Sequence, residues 1–194
     1  MEKSEFIEFM KTKTPVRKGM EVFDEFHKLS ENARKITMEI NNKYHTKEEL
    51  TELFSILTNK KVDDSFRLFP PFYTDCGINI TVGKNVFINA CCNFQDQGGI
   101  TIGNNCLIGH NVTIATLNHD IDPDKRADMH PAPVKIGNNV WIGSDTTILP
   151  GVTIGDNSVI GAKSLVVKDI PANCIAFGHP CKMIKEIKEN KYAL

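Results

Sequence analysis

From Ile136 onward an aliphatic residue returns at every sixth position: Ile136, Ile142, Ile148, Ile154, Ile160 and Val166. Two shorter blocks, Val82–Ile88–Phe94 and Ile102–Ile108–Ile114, keep the same step. The next residue is often glycine (Gly83, Gly103, Gly109, Gly137, Gly143, Gly155, Gly161), and a second apolar residue stands two places earlier, as at Ile80, Val86, Ile100, Val112, Val134, Val140 and Val152. A period of six is the signature of a parallel β-helix, in which each unit supplies one short strand and one turn and three units close a triangular coil. The register residue points inward and stacks on its equivalent in the next coil, so Ile136 is expected under Ile154 and Ile142 under Ile160. Branched aliphatic side chains are stiff and pack well on extended backbone. Glycine is expected at the corners, where a side chain is awkward. A single coil cannot bury its inward face alone, so several must stack.

The rhythm breaks twice. Phe94 and Ile102 are eight apart, with Asp96-Gln97-Gly98-Gly99 between them, and Ile114 and Ile136 are 22 apart. The second gap holds the polar, unrhythmic run Thr116-Leu117-Asn118-His119-Asp120-Ile121-Asp122 and reads as a loop leaving the coil at about residues 115–134. Excursions from such scaffolds commonly carry binding functions.

Composition divides at the same boundary. Residues 1–61 carry 12 of the 23 Lys and Arg and 11 of the 24 Asp and Glu, but one glycine of 13, Gly19. Val22, Phe23, Phe26 and Leu29 form a helical stripe. After Asn41-Asn42, Thr46-Lys47-Glu48-Glu49 reads as a capping box ahead of an apolar face of Leu50, Leu53, Phe54 and Leu57. Pro70-Pro71 marks the junction, since proline neither donates to a ladder nor continues a helix. The expected organisation is a helical segment over 1–61, a β-helix over 62–181 and a tail with a short helix over 182–194.

The formal net charge of −1 argues against nucleic acid or an acidic membrane as the main partner. No apolar run approaches the roughly 20 residues that span a bilayer, and the charged N-terminus leads into no signal-type core, so a cytoplasmic location is expected. The six cysteines include no Cys-x-x-Cys pair. In a reducing compartment most of them read as small buried residues, with neither disulfides nor a metal site expected.

The stretches Ile136–Gly143, Leu149–Ser158, Lys168-Asp169-Ile170-Pro171 and Gly178-His179-Pro180-Cys181-Lys182 resemble the hexapeptide-repeat acyltransferases, within them the maltose and galactoside O-acetyltransferase group. The resemblance runs from about Phe23 to Ile187. It implies a left-handed parallel β-helix, a homotrimer with sites between subunits, and acetyl-CoA as donor.

Transfer of an acetyl group from a thioester to a hydroxyl needs a base, donors for the oxyanion and a slot that holds both substrates. An imidazole suits the base. His119 lies in the excursion loop, where a surface histidine without a role would fit equally well; the resemblance implies that it is the catalytic base, and His130 shares the loop. The resemblance also implies Asn89 as a contact to acceptor and transition state, and Asp75, Asp96, Gln97 and Met129 on the acceptor side. Along the coenzyme it implies Trp141, Ser144, Ala162 and Lys168, with Lys182 and Lys185 toward its phosphates. Trp141 precedes register residue Ile142 and so should face outward. The chain departs from the group's pattern at Asp75, Gln97, Asp120 and Val167. The expected activity is direct O-acetylation of a sugar or similar small acceptor, without an acyl-cysteine intermediate. An antibiotic or amine acceptor, or a β-helix that binds or assembles without catalysis, are the competing function classes.

Overall fold

The computed structural model describes residues 1–187. Three helices, α1 (Lys3–Lys11), α2 (Glu21–Asn42) and α3 (Lys47–Thr58), precede a parallel β-helix of about six coils. Helix α3 starts as its sequence requires. The Thr46 side chain accepts from Glu49 N at 3.3 Å, and the Glu49 carboxylate accepts from Thr46 N at 2.7 Å. Helix α1 was not foreseen; its signals are Phe6 and Met10, one turn apart and both buried, and a Glu2–Glu5 capping box.

The coil has three walls. The first stacks Leu68, Ile88, Ile108, Ile142, Ile160 and Ala176. The second stacks Thr74, Phe94, Ile114, Ile148 and Val166, and the third Val82, Ile102, Ile136, Ile154 and Ile170. All the register residues anticipated from the period lie in these columns, with Ile136 paired to Ile154 and Ile142 to Ile160. Successive coils on the first wall are 20, 20, 34, 18 and 16 residues apart. Two extra residues between Thr74 and Val82 lengthen the first coil, two between Phe94 and Ile102 the second, and the excursion the third, while the inward stack stays unbroken.

Glycine stands after the register residues, where a side chain is awkward as expected, but it does not take the left-handed position of the corner. The left-handed corner positions are held chiefly by asparagine: Asn85, Asn105, Asn139, Asn157 and Asn173 all have φ between 53° and 59°. Their side chains form a ladder, each Nδ2 donating to the next Oδ1 at 3.1, 3.0, 2.8 and 2.8 Å. Asparagine tolerates this backbone region and spends its amide along the coil axis. The repeat glycines instead sit where coils approach too closely for a Cβ. One built on Gly103 would lie 2.6 Å from Gly137 O, and one on Gly109 2.6 Å from Ser144 N.

Both ends of the coil are covered. Ala33, Ile40, Leu50, Phe54 and Leu57 of α2 and α3 share the coil's own apolar cluster, and the Phe54 ring meets those of Phe66 and Phe72 at 4.5 and 5.6 Å. The exposed edge of the first coil is satisfied by side chains. Asn41 exchanges two hydrogen bonds with the Phe72 backbone (2.8 and 2.9 Å), and Lys60 Nζ donates to Ile78 O and Ile80 O (2.6 and 2.8 Å). Burial pushes the Lys60 ammonium below its usual pKa. At the far end Cys181–Glu186 returns as a strand antiparallel to Cys174–Gly178. The helix expected after residue 181 is therefore a strand as far as Glu186, because pairing satisfies the last coil's open edge; the expectation for 188–194 falls outside the described residues.

Candidate active site

The excursion is a β-hairpin, Leu117–His119 against Met129–Pro131, closed through a short 3-10 turn at Pro123–Lys125. Its base is held by Gln95, whose Oε1 accepts from Thr116 N and Leu117 N at 3.3 and 3.1 Å. Its flank is held by the N-terminal segment: Val16 and Met129 exchange backbone hydrogen bonds at 2.8 and 3.0 Å, and Arg17 Nε donates to Asp128 Oδ2 at 3.0 Å. Leu117 and Met129 pack in a second apolar cluster with Phe6, Met10, Cys76 and Ile78.

On this frame His119 is exposed, and its Nδ1 lies 2.9 Å from Arg126 O. A carbonyl only accepts, so Nδ1 carries the proton and Nε2 is left as the basic nitrogen. His130 bonds through Nε2 to Asp120 Oδ2 at 3.1 Å, and Asp120 Oδ1 accepts from Asp122 N at 2.9 Å. The Asp122 amide and His130 together hold the Asp120 carboxyl below the usual carboxylate range. The role of the Arg126 carbonyl and the Asp120–His130 pair was not foreseen, because both depend on the hairpin register.

The residues expected around the acceptor divide into enclosed and open. Asp96 is 0% exposed. Its Oδ1 accepts from Thr74 Oγ1, Cys76 N and Gly77 N at 2.7, 2.8 and 3.0 Å, and its Oδ2 from Asn79 N at 3.1 Å. Its hydrogen-bonding capacity goes to holding the 74–79 turn, so, against expectation, the side chain offers no exposed surface to an acceptor. Gln97 is 0% exposed as well; Nε2 donates to Asp75 Oδ2 at 2.6 Å, and Oε1 is buried with no partner among the described residues. Met129 is 8% exposed and belongs to the cluster beneath the hairpin. Asp75 remains open to solvent at the rim, where partial burial raises its carboxyl pKa against the lowering effect of Gln97.

The other residues lie elsewhere on the triangle. Asn89 directly follows register residue Ile88, and Ser144 and Ala162 stand two places after Ile142 and Ile160, all at the corner after the first wall. Ser144 Oγ accepts from His110 N at 3.2 Å, and Asn89 Oδ1 accepts from Ala90 N at 2.9 Å, leaving the Asn89 amide NH2 to donate. His119, Asp75, Gln97 and Lys168 belong to the next corner, after the second wall. One wall of the coil thus separates Asn89 from His119. Trp141 faces outward and is 54% exposed, in a stripe of Phe87, Leu107, Trp141, Val159 and Ile175 that climbs the first wall. Lys182 and Lys185 lie exposed on the returning strand, paired with Phe177 and Ile175.

Of the six cysteines, five are buried and Cys91 is half-buried; none is disulfide-bonded. Burial pushes the Cys92 thiol up to about 11 and the Cys76 thiol higher still.

Residues 133–168 match the family model for the bacterial transferase hexapeptide (six repeats), and residues 99–116 that for the hexapeptide repeat of succinyl-transferase. The chain is 49% identical to the galactoside O-acetyltransferase of Escherichia coli (strain K12) over 122 residues, 62% of this chain but only 60% of that protein. With the galactoside O-acetyltransferase of Lactococcus lactis subsp. lactis (strain IL1403) it shares 40% identity over 75% of this chain and 69% of that one. Among solved structures it superposes on a galactoside acetyltransferase in complex with coenzyme A (TM-score 0.81, 35% identity, 97% and 92% of the two chains). It also superposes on the maltose O-acetyltransferase of Clostridium difficile 630 (TM-score 0.85, 39% identity, 94% and 97%). Likeness at this identity over almost the full length of both structures leaves one assignment: the chain belongs to the hexapeptide-repeat acetyltransferases, in the group that contains the galactoside and maltose O-acetyltransferases.

Proposed function

We propose that the protein is an acetyl-CoA-dependent O-acetyltransferase acting on a hydroxyl of a sugar or similar small acceptor, with His119 as general base. The observation that carries this reading is the His119 ring, held by the Arg126 carbonyl with its Nε2 free on a braced hairpin. In the proposed reaction Nε2 takes the hydroxyl proton as the oxygen attacks the thioester carbonyl. The Asn89 amide donates to the oxyanion, and collapse of the tetrahedral intermediate expels the coenzyme thiolate, which recovers the proton from His119. Direct transfer is favoured over an acyl-cysteine because burial disfavours the Cys92 and Cys76 thiolates. Relatives of known structure with coenzyme A and acetyl-CoA bound support the donor.

A homotrimer completes the site in this reading. Two observations support it: Asn89 and His119 stand at different corners of one chain, and the apolar stripe around Trp141 offers a continuous face for a second copy. Asn89, Ser144, Ala162 and Trp141 of one subunit then face His119, Asp75 and Lys168 of its neighbour, with Lys182 and Lys185 toward the coenzyme phosphates. The test is His119→Ala, assayed by free-thiol release from acetyl-CoA. The particle mass and coenzyme binding should persist while kcat/KM falls by about 10²–10⁴; turnover at the wild-type rate would remove His119 as the base.

A further inference from the structure

At the capped end of the coil, where the turn between α2 and α3 crosses the first corner, lies a hollow of about 500 Å³ that none of the residues discussed above explains. Leu50 and Leu68 floor it, the exposed rings of Tyr44 and Phe69 rim it, and Arg67 and Lys47 project at its edge. Its volume is that of a small-molecule site, and it has the usual make-up of an apolar floor with a few convergent polar groups. Two further basic groups there are largely spent. Lys43 is held by Glu39 at 2.8 Å, and His45 stands between Glu39 and Glu49 at 4.0 and 3.8 Å. Arg67 has no acid within 4 Å among the described residues, and Lys47 Nζ donates to a carbonyl, Asp64 O, at 2.7 Å. The hollow therefore presents Arg67 and Lys47, neither of them ion-paired among the described residues, beside aromatic faces.

Its position gives that charge a meaning. Phe69 sits at the first corner in the first coil, directly below Asn89 in the second, and Phe69 N donates to Ile88 O at 3.0 Å. Ascending the same corner come Asn89, His110, Ser144 and Ala162, with roughly 4.8 Å between adjacent strands. The hollow and the expected donor slot thus lie on opposite sides of Asn89.

We propose that this hollow is the acceptor's distal subsite and selects a small anionic sugar or polyol, whose phosphate or carboxylate is bound by Arg67 and Lys47 and whose ring lies on Phe69 and Tyr44. This rests on the acetyltransferase reading above and narrows its substrate class. A charge-assisted contact to a guanidinium is bidentate and stronger than a neutral hydrogen bond, so an anionic acceptor gains at least about tenfold in affinity over its neutral parent.

The experiment uses the full chain in two arms. In the first, thiol release from acetyl-CoA is followed with glucose, glucose 6-phosphate and glucuronate. The anionic acceptors should show KM at least about tenfold lower than glucose, and the Arg67→Gln/Lys47→Gln double variant should abolish that difference, with the anionic KM rising to the level of glucose. In the second, calorimetry measures binding of glucose 6-phosphate and glucose to both proteins without acetyl-CoA. Preferential binding of the phosphate that is lost in the double variant supports the site even if no acceptor turns over, a result that would sink the acetyltransferase reading alone. Equal binding of glucose and glucose 6-phosphate, or a preference that survives the double variant, overturns the proposal.

Discussion

At the scale of single residues, hydrogen bonding divides the site into groups already committed and groups left free. Asp96 spends its carboxylate on four donors, whereas His119 spends one nitrogen and keeps the other. Asp120 gives this a pH dependence. Its pKa is depressed in the folded chain by Asp122 and His130, so its contribution to the hairpin is complete above the ordinary carboxylate range and is lost as pH falls through the lower folded value. Amide exchange at Asp122 should lose protection on acidification below about pH 4, in excess of the intrinsic rate change and ahead of the coil walls. Asp120→Asn should show no such transition, and an unchanged acid profile in that variant would contradict the assignment. The thiols give a second test at this scale. With Cys92 raised to about 11 and Cys76, Cys106 and Cys181 also raised by burial, iodoacetamide at neutral pH should label half-buried Cys91 first, read by peptide mass. Equal early labelling of Cys92 would show the coil to be looser than its packing implies.

Among the elements, the corner ladder and the hairpin illustrate what a period can and cannot tell. The six-residue step specifies every inward side chain, because each must fill the same triangular section. It is silent on which residue takes the left-handed position of the corner, while the Gly after each register residue stands where a side chain is awkward, as the spacing suggests. The glycines answer to coil separation, a tertiary quantity, and the asparagines to φ. A paired substitution separates the two terms at Asn139, where φ is 56° and the side chain both donates to Asn157 and accepts from Asn105. Asn139→Gly relieves the backbone and loses only the ladder, about 1 kcal/mol. Asn139→Ala loses the ladder and adds left-handed strain, for about 2–3 kcal/mol in all. Denaturant midpoints should therefore rank wild type, glycine, alanine in that order; alanine at or above glycine would show that φ is not what selects asparagine. Helix α1 escaped notice for a related reason: only Phe6 and Met10 of its nine residues are buried, and their partner, the hairpin, is more than 100 residues away in sequence.

For the whole molecule, the outward stripe is the face through which the proposed trimer would assemble. Leu107 is 50% exposed beside Trp141 at the middle of the first wall. Leu107→Glu places a charge in that face, so light scattering should show the mass fall from three chains to one, with thiol release lost and circular dichroism retained. A three-chain particle in this variant would move the interface elsewhere. The sequence by itself determined the β-helix, its inward columns, the helix start at Thr46, the place of the excursion and the outward Trp141, because each is a local pattern of period, cap or interruption. Position in the break left His119 level with a histidine of no role, and the family resemblance singled it out as the expected base. Tertiary structure alone decided that the excursion is a hairpin braced by Val16 and Arg17, that Asp96 and Gln97 are enclosed, and that residues 181–186 return as a strand. It likewise set Asn89 and His119 at different corners. These are long-range facts: they depend on which buried donors find partners and on which distant segments meet after the chain has coiled, and no spacing along the chain encodes either.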